Sequence, residues 1–380
     1  MLFDEIISEH YEPREYPALS LLSDEWMNTR PFEGLKVLVA TPIFRNTLVQ
    51  YRALIAGGAD LWVGRAVGSS EGSVAGASMP CDPAMVNLLK ENGVSVISEN
   101  DIKSGAVEDD FDLILDCAGQ FSFCNPRIGF VELTRSGVHF YKDSPYPIYV
   151  ADSGIVKRIE TTLGTGDGCF RALDQMGFDA LGYEGKNLVV FGSGKVGCGI
   201  ALQGVRRGMN VCTITDTRHR NTSTDFCHVL ENNNIQIVDC LSDFAVSAAI
   251  ENADYLVTAT GVKGALSYAA VSAILGNSKL VVANMGVEDE FGEMVPANRV
   301  LNKKSPLNFM LEEPTHLKYI DASLALHAAL GEQLLKDSAE CLVGFPFTGL
   351  REPVQVLEQR LLVTTMQNGL IGPEIYDMMS

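Results

Sequence analysis

At 380 residues the chain is longer than one compact core usually holds, which predicts two domains with a cleft between them and excludes a small binding module. Apolar residues at 46% and charged residues at 20% exclude global disorder and coiled coil. A net charge of −19, from 29 basic against 48 acidic side chains, repels phosphate backbones and anionic lipid, so neither nucleic acid nor a membrane surface is expected as a partner.

No window of about 18 residues is continuously apolar, and the opening Met1-Leu2-Phe3-Asp4-Glu5 is acidic where an export signal would be basic and then apolar. A cytoplasmic protein is expected. The 9 cysteines are an odd number without a CxxC pair, which reads as reduced thiols, and the 6 histidines lack metal-ligand spacing, so no metal site is expected.

In chain order, the first 35 or so residues read as a helical lead-in carrying Pro13, Pro17 and Pro31. Lys36–Ala40 is a strand rich in Val and Leu, Asn46–Ala56 a helix, and Asp60–Val63 a second strand reached through Gly57-Gly58, together one βαβ unit. A helix opened by Asp82-Pro83 follows, with strands at Val94–Ile97, Phe111–Asp116 and Ile148–Val150. Glu160 to Met176 reads as a long connecting helix despite Gly164, Gly166 and Gly168. A second series then places strands at Leu188–Phe191, Val211–Thr215, Ile235–Val238, Tyr255–Thr258 and Leu280–Asn284, and a helix at Ala322–Leu335. The predicted fold is α/β, two doubly wound Rossmann-like domains, with residues 1–163 forming the first part of a substrate domain. Residues 164–330 form the dinucleotide-binding domain inserted into it, and 331–380 pack back on the substrate domain.

The stretch Val189-Val190-Phe191-Gly192-Ser193-Gly194-Lys195-Val196-Gly197 places GxGxxG directly after a predicted strand and at the opening of a predicted helix. Gly192 permits the tight turn, Gly194 lets the backbone approach a pyrophosphate, and Gly197 allows close packing of helix on sheet. Amides at the helix start, around Ser193, Lys195 and Val196, then face the phosphates. The end of the next strand separates the two nicotinamide cofactors: Asp216 suits the ribose hydroxyls of NAD, whereas Thr215 with Arg218 and Arg220 suits a 2′-phosphate. NAD is the expected cofactor, with NADP the alternative.

Several further segments resemble the S-adenosylhomocysteine hydrolase (adenosylhomocysteinase) family, in that family's order. They are Tyr16-Pro17-Ala18-Leu19, Pro31–Val37, Leu115-Asp116 with Gly119, Glu132–His139, Val150–Ser153, the glycine fingerprint, Val257–Gly261 and Val281–Gly286. The similarity spans roughly residues 16–330. It implies a tightly held NAD that oxidises a substrate hydroxyl, assists an elimination and is returned unchanged. By the same resemblance Thr134, Thr258, Thr260, Gly261 and Asn284 join the cofactor site, and the assembly is a homodimer or homotetramer.

The departures fall on the substrate side. The family's first histidine aligns with Pro42, its two cleft carboxylates with Cys117 and Leu133, and its lysine with Val156. Its adenosine loop is replaced by Ser69-Ser70-Glu71-Gly72, and its basic, tyrosine-rich tail is missing. Losing these together removes the groups that elimination and purine recognition need. The reading that follows is an NAD-dependent oxidoreductase, or an oxidation-assisted lyase or epimerase, acting on a small polar alcohol or nucleoside-like substrate other than S-adenosylhomocysteine. A genuine adenosylhomocysteinase and a non-catalytic NAD-binding regulatory protein are the alternatives.

The candidate catalytic residues are Lys157 paired with Glu160, then Asp116 and Glu132 at strand ends, then Asn46 at the start of the first helix of the first βαβ unit. His139 is expected to be a satisfied interior histidine.

Overall fold

Thirteen residues of lead-in helix begin with a proline because the first helical position needs no N–H: α2 (Pro17–Thr29) follows α1 (Asp4–His10) and a short 3-10 turn. The computed structural model describes residues 3–65, 81–219, 226–340 and 348–379. The chain divides into two compact units, one of residues 1–157 with 317–372 and one of residues 158–316 with 373–380. Both are α/β with wholly parallel sheets.

Unit 1 is built on strands β1 (Lys36–Val39), β2 (Asp60–Arg65), β3 (Ser95–Ser98), β4 (Leu113–Asp116), β5 (Gly129–Glu132) and β6 (Pro147–Val150). Helices α3 (Leu48–Ala56), α4 (Pro83–Glu91) and α5 (Glu99–Lys103) alternate with them, and α6 (Ile155–Arg158) follows. Asp82 caps α4 as the sequence suggests, its carboxylate accepting from the Ala84 N–H at 2.8 Å. Strands β4, β5 and β6 are buried at every residue, the signature of a parallel sheet covered on both faces. β5 is a four-residue strand that the sequence reading missed.

Unit 2 carries β7 (Asn187–Phe191), β8 (Asn210–Thr215), β9 (Gln236–Asp239), β10 (Tyr255–Thr258) and β11 (Val281–Asn284) in the order β11-β10-β7-β8-β9. Its helices are α7 (Thr165–Gln175), α8 (Lys195–Arg206), α9 (Cys227–Asn232), α10 (Asp243–Glu251) and α11 (Tyr268–Gly276). Val189, Phe191, Ile214, Ile250, Leu256, Ile274 and Val282 form the core between the sheet and its helices. The chain then returns to unit 1 through α12 (Leu317–Glu340), β12 (Gly349–Arg351) and α13 (Gln355–Asn368), and ends in α14 (Gly372–Met379). In unit 1 the sheet order is β12-β6-β5-β4-β1-β2-β3.

Three expectations are corrected. The helix expected over Glu160–Met176 opens as a π-helix, Ile159–Gly164, and only then becomes α7. That turn brings the Thr162 carbonyl against the backbone of α8, where a Cβ on Gly199 would sit 1.7 Å from the carbonyl oxygen. The unit boundaries fall at 157/158 and 316/317, not at 163/164 and 330/331, because α12 packs on α2, α13 and strand β5 of unit 1. Of the segment expected to pack back on the first domain, residues 331–372 lie in unit 1 but 373–380 belong to unit 2, where Gln203 donates to Glu374 at 3.0 Å and Asn233 donates to the Asp377 carbonyl at 3.4 Å. Among the described residues no helix is long and apolar enough to cross a membrane.

One buried carboxyl in unit 1 makes its stability depend on pH. Asp321, on α12, accepts from the N–H groups of Ala18 at 2.8 Å and Leu19 at 3.0 Å, capping α2 from outside the helix. Burial pushes it up to about 7, against the lowering effect of those two bonds. Below the ordinary carboxylate range it is protonated in folded and unfolded chain alike. As pH rises from about 4 through about 7 the unfolded chain ionises first, and stability is lost across that window, by a few kcal/mol at most. Asp321→Asn keeps an acceptor oxygen without the titration, so urea-unfolding midpoints of wild type should fall more steeply over this window than those of the variant. Parallel pH profiles would contradict the assignment.

Candidate functional site

In unit 2 the winding reverses between β7 and β10: β8 and β9 run off one side of β7, while β10 and β11 run off the other. In open α/β sheets the crevice beyond the strand ends at such a point is where ligands bind. The glycine fingerprint lies on it. Gly192 follows β7 with φ +107, and a Cβ there would stand 2.5 Å from the Ala259 carbonyl oxygen just past β10, so a side chain would close the crevice. A Cβ on Gly197 would stand 2.0 Å from the Gly192 carbonyl, which fixes α8 tightly on the turn. Around Gly194, by contrast, nothing lies within 4 Å of such a Cβ. Gly194 directly precedes α8, whose first-turn amides at Lys195, Val196 and Gly197 have no acceptor earlier in the helix. Open backbone, orphan amides and a helix N-terminus together could hold an anion.

On the β8 side the Ser193 and Thr215 hydroxyls are 2.8 Å apart. Asp216, one residue past β8, accepts from Arg218 three times: from its backbone N–H at 3.0 Å, Nε at 2.9 Å and a terminal nitrogen at 2.7 Å. The carboxylate and the arginine that the sequence offered as rival determinants are therefore bonded to each other. Arg220 and the segment Ser69-Ser70-Glu71-Gly72 lie outside the described residues.

On the β10 and β11 side the expected cofactor residues are bonded to one another. Thr258 and Asn284 are fully buried, and their side chains are spent on one another and on the interior. Thr258 Oγ1 donates to Asn284 Oδ1 at 3.0 Å. Asn284 Nδ2 donates to the carbonyls of Gly286, Glu288 and Lys304 at 3.0, 2.8 and 2.6 Å. Thr260 and Gly261 form the rim of the crevice, and both backbone amides donate to Glu290, at 2.8 and 2.6 Å. Glu290 escaped the sequence reading; its one signal is Gly286, where a Cβ would lie 1.9 Å from the Glu290 carboxylate.

In unit 1 two of the catalytic candidates form a hydrogen-bonded pair of strand ends. Asp116 and Glu132 are paired residues at the ends of β4 and β5 and both are fully buried. Glu132 accepts from the amides of Ala118 at 3.0 Å, Gly119 at 2.9 Å and Thr134 at 2.7 Å, and from the Thr134 hydroxyl at 2.6 Å. Asp116 accepts from the amides of Cys117 at 2.8 Å and Phe121 at 3.0 Å, and from the Tyr141 hydroxyl. Burial pushes both carboxyls up, and for Asp116 the Glu132 charge adds to it. Their hydrogen bonds hold the left-handed turn at Ala118 (φ 59) and Gly119 (φ 67). Thr134, expected at the cofactor, has its hydroxyl committed to this latch.

Lys157, 4% exposed, lies at the end of unit 1, and Glu160 lies in the π-helix Ile159–Gly164 three residues on. Asn46 is buried just ahead of α3. Behind it, Gln50 on α3 reaches His327 on α12, with 3.2 Å between Nε2 and Nδ1, and His327 Nε2 lies 3.0 Å from the Val131 carbonyl. Burial, reinforced by the Lys157 charge, pushes His327 down to about 4, so the ring is neutral at physiological pH. In the turn after β4, both amide atoms of Gln120 are sealed from solvent without a hydrogen-bond partner among the described residues. His139 is exposed and stacked on Phe140 with ring centroids 3.9 Å apart, not interior as expected.

No family model and no curated protein sequence matches the chain. Among solved structures it is similar to a dipicolinate synthase polypeptide from Bacillus halodurans, at 11% identity over 81% of this chain and 99% of that one, with a TM-score of 0.44. It is also similar to a D-isomer specific 2-hydroxyacid dehydrogenase family protein from Aeromonas salmonicida (12% identity, 85% and 99% covered, TM-score 0.38). A third is shikimate 5-dehydrogenase from Listeria monocytogenes, solved with shikimate and NAD (15% identity, 82% and 96% covered, TM-score 0.35). The narrower resemblance to adenosylhomocysteinase rests on the sequence segments alone.

Proposed function

We propose that the chain is an NAD-dependent oxidoreductase, or an oxidation-assisted lyase or epimerase, of the adenosylhomocysteinase-like kind, acting on a small polar alcohol or nucleoside-like substrate other than S-adenosylhomocysteine. The observation that carries this reading is the glycine turn at the winding reversal of unit 2, closed to side chains at Gly192 and Gly197 yet open at Gly194. A dinucleotide fits it: the backbone at Gly194 and the α8 amides take the pyrophosphate, and Asp216 takes the ribose hydroxyls. When bound, the nicotinamide accepts a hydride from the substrate carbinol and can return it.

On the substrate side the candidate catalytic residues are Lys157, Glu160, Asp116, Glu132 and Asn46, of which Lys157, Asp116, Glu132 and Asn46 are buried. That burial favours a second reading, an NAD-binding regulatory protein without catalysis. A homodimer or homotetramer in the cytoplasm, without nucleic acid or membrane partners, completes the proposal.

The Asp216–Arg218 pair gives the cofactor test. NAD should bind more tightly than NADP, because the Asp216 carboxylate opposes a 2′-phosphate. Asp216→Ser frees Arg218 and should shift the NADP-to-NAD affinity ratio upward by roughly tenfold or more, whereas Arg218→Ala should lower it. Titration calorimetry with both dinucleotides decides; a ratio unmoved by either substitution would sink the assignment.

A further inference from the structure

Helices α10 and α11 cover the unit 2 sheet with one face each, Val246 and Ile250 of the first and Ala270, Val271 and Ile274 of the second joining its core. They run parallel and side by side, tied at both ends. The Ser267 hydroxyl, just ahead of α11, donates to Asp243 at 3.3 Å, and Asn277, just past it, donates to the carbonyls of Ile250 and Ala253 at 3.2 Å each. On the opposite face Phe244 and Tyr268 stand 86% and 78% exposed at the shared N-terminal end. Between the helices runs a groove of about 520 Å³ lined by the small residues Ser247, Ala269, Ser272, Ala273 and Gly276, with Glu251 towards its other end.

A surface helix ordinarily turns a charged face to water. α11 has no charged residue, and α10 has two, Asp243 and Glu251, one at each end. On a chain of net charge −19, whose copies repel one another, such a face is where two copies can meet. A basic partner would find its complement on the acidic surface instead. An interface between like copies must also be complementary to itself. Here large rings lie at one end and small residues at the other. A two-fold axis crossing the helices at their midpoints, Ser247 and Ser272, reverses the second copy and sets the rings of each on the small residues of the other. We propose that the α10–α11 face is a self-association surface, packed antiparallel on the same face of a second copy. It names the surface for the homo-oligomer proposed above and does not depend on a bound dinucleotide.

Sedimentation equilibrium of the full chain tests it. Phe244→Asp and Tyr268→Asp, at positions too exposed to hold the fold, should each weaken association by about a hundredfold while the circular dichroism stays unchanged. Ser272→Arg, which fills the groove, should do the same from the other side of the contact. Val356→Asp on α13, where the side chain is 76% exposed, should leave association as it is. Salt should tighten association by screening the two acidic copies. A wild type that is monomeric at about 100 µM would overturn the proposal and leave the face to a different protein. Association unmoved by Phe244→Asp and Tyr268→Asp, loosened equally by Val356→Asp, or loosened by salt would overturn it as well.

Discussion

Gly194→Asp should leave the fold as stable as wild type while reducing dinucleotide affinity by about a hundredfold or more. The separation follows from the space around the residue. No atom lies within 4 Å of a Cβ at Gly194, and its φ of −71 with ψ of −175 is extended backbone that any residue adopts. It is also the N-cap of α8, where aspartate is among the preferred residues, so the melting temperature should hold or rise slightly. The carboxylate would occupy the ground on which the pyrophosphate must sit and would meet it with like charge. Thermal melts beside NAD titrations read both effects. Retained affinity would mean that the phosphates do not approach this turn.

The opposite dissociation is expected at Gly199, one turn into the same helix. Alanine is normally the better helix former, by about 1 kcal/mol over glycine at an interior position. Here a Cβ would stand 1.7 Å from the Thr162 carbonyl oxygen, and a Cβ on the facing Gly166 would stand 2.4 Å from the Gly199 carbonyl carbon. Both contacts are with backbone and yield only if the π-helix and α7 move away from α8. Gly199→Ala should therefore destabilise unit 2 by roughly 2–4 kcal/mol, the scale of core overpacking. Gly276, at the end of α11 with nothing within 4 Å, serves as the control, and Gly276→Ala should cost nothing measurable. Urea unfolding compares the two; equal stability of the variants would contradict the packing account.

What the sequence made legible was local. A strand, a glycine at positive φ and a helix within one stretch require no knowledge of the rest of the chain, so the turn at Gly192–Gly197 and the alternation of strands and helices could be read directly. The roles of the carboxylates could not. Asp116 and Glu132 looked like cleft acids because each ends a strand, but their burial follows from β4 lying beside β5 and from a turn that folds three amides onto one carboxylate. Asp321, His327 and Glu290 take their meaning from partners far away in sequence or from a loop on another strand, and nothing in their neighbours announces it. β5 and β12 were missed because four and three residues carry too little periodicity, and each begins on a glycine. The boundary at 157/158 was misplaced for a related reason, since the π-helix reads in sequence as the start of α7.

The central claim, that unit 2 holds a nicotinamide dinucleotide in the service of redox chemistry, is tested most directly by mass spectrometry of small molecules released on denaturing the purified protein, with absorbance at 340 nm recorded first. The expected result is NAD or NADH at near-stoichiometric amounts, with any second metabolite alongside it pointing to the substrate. Release of no dinucleotide, followed by no binding of NAD or NADP in calorimetry, would contradict the claim and leave the glycine turn of unit 2 as fold ancestry only.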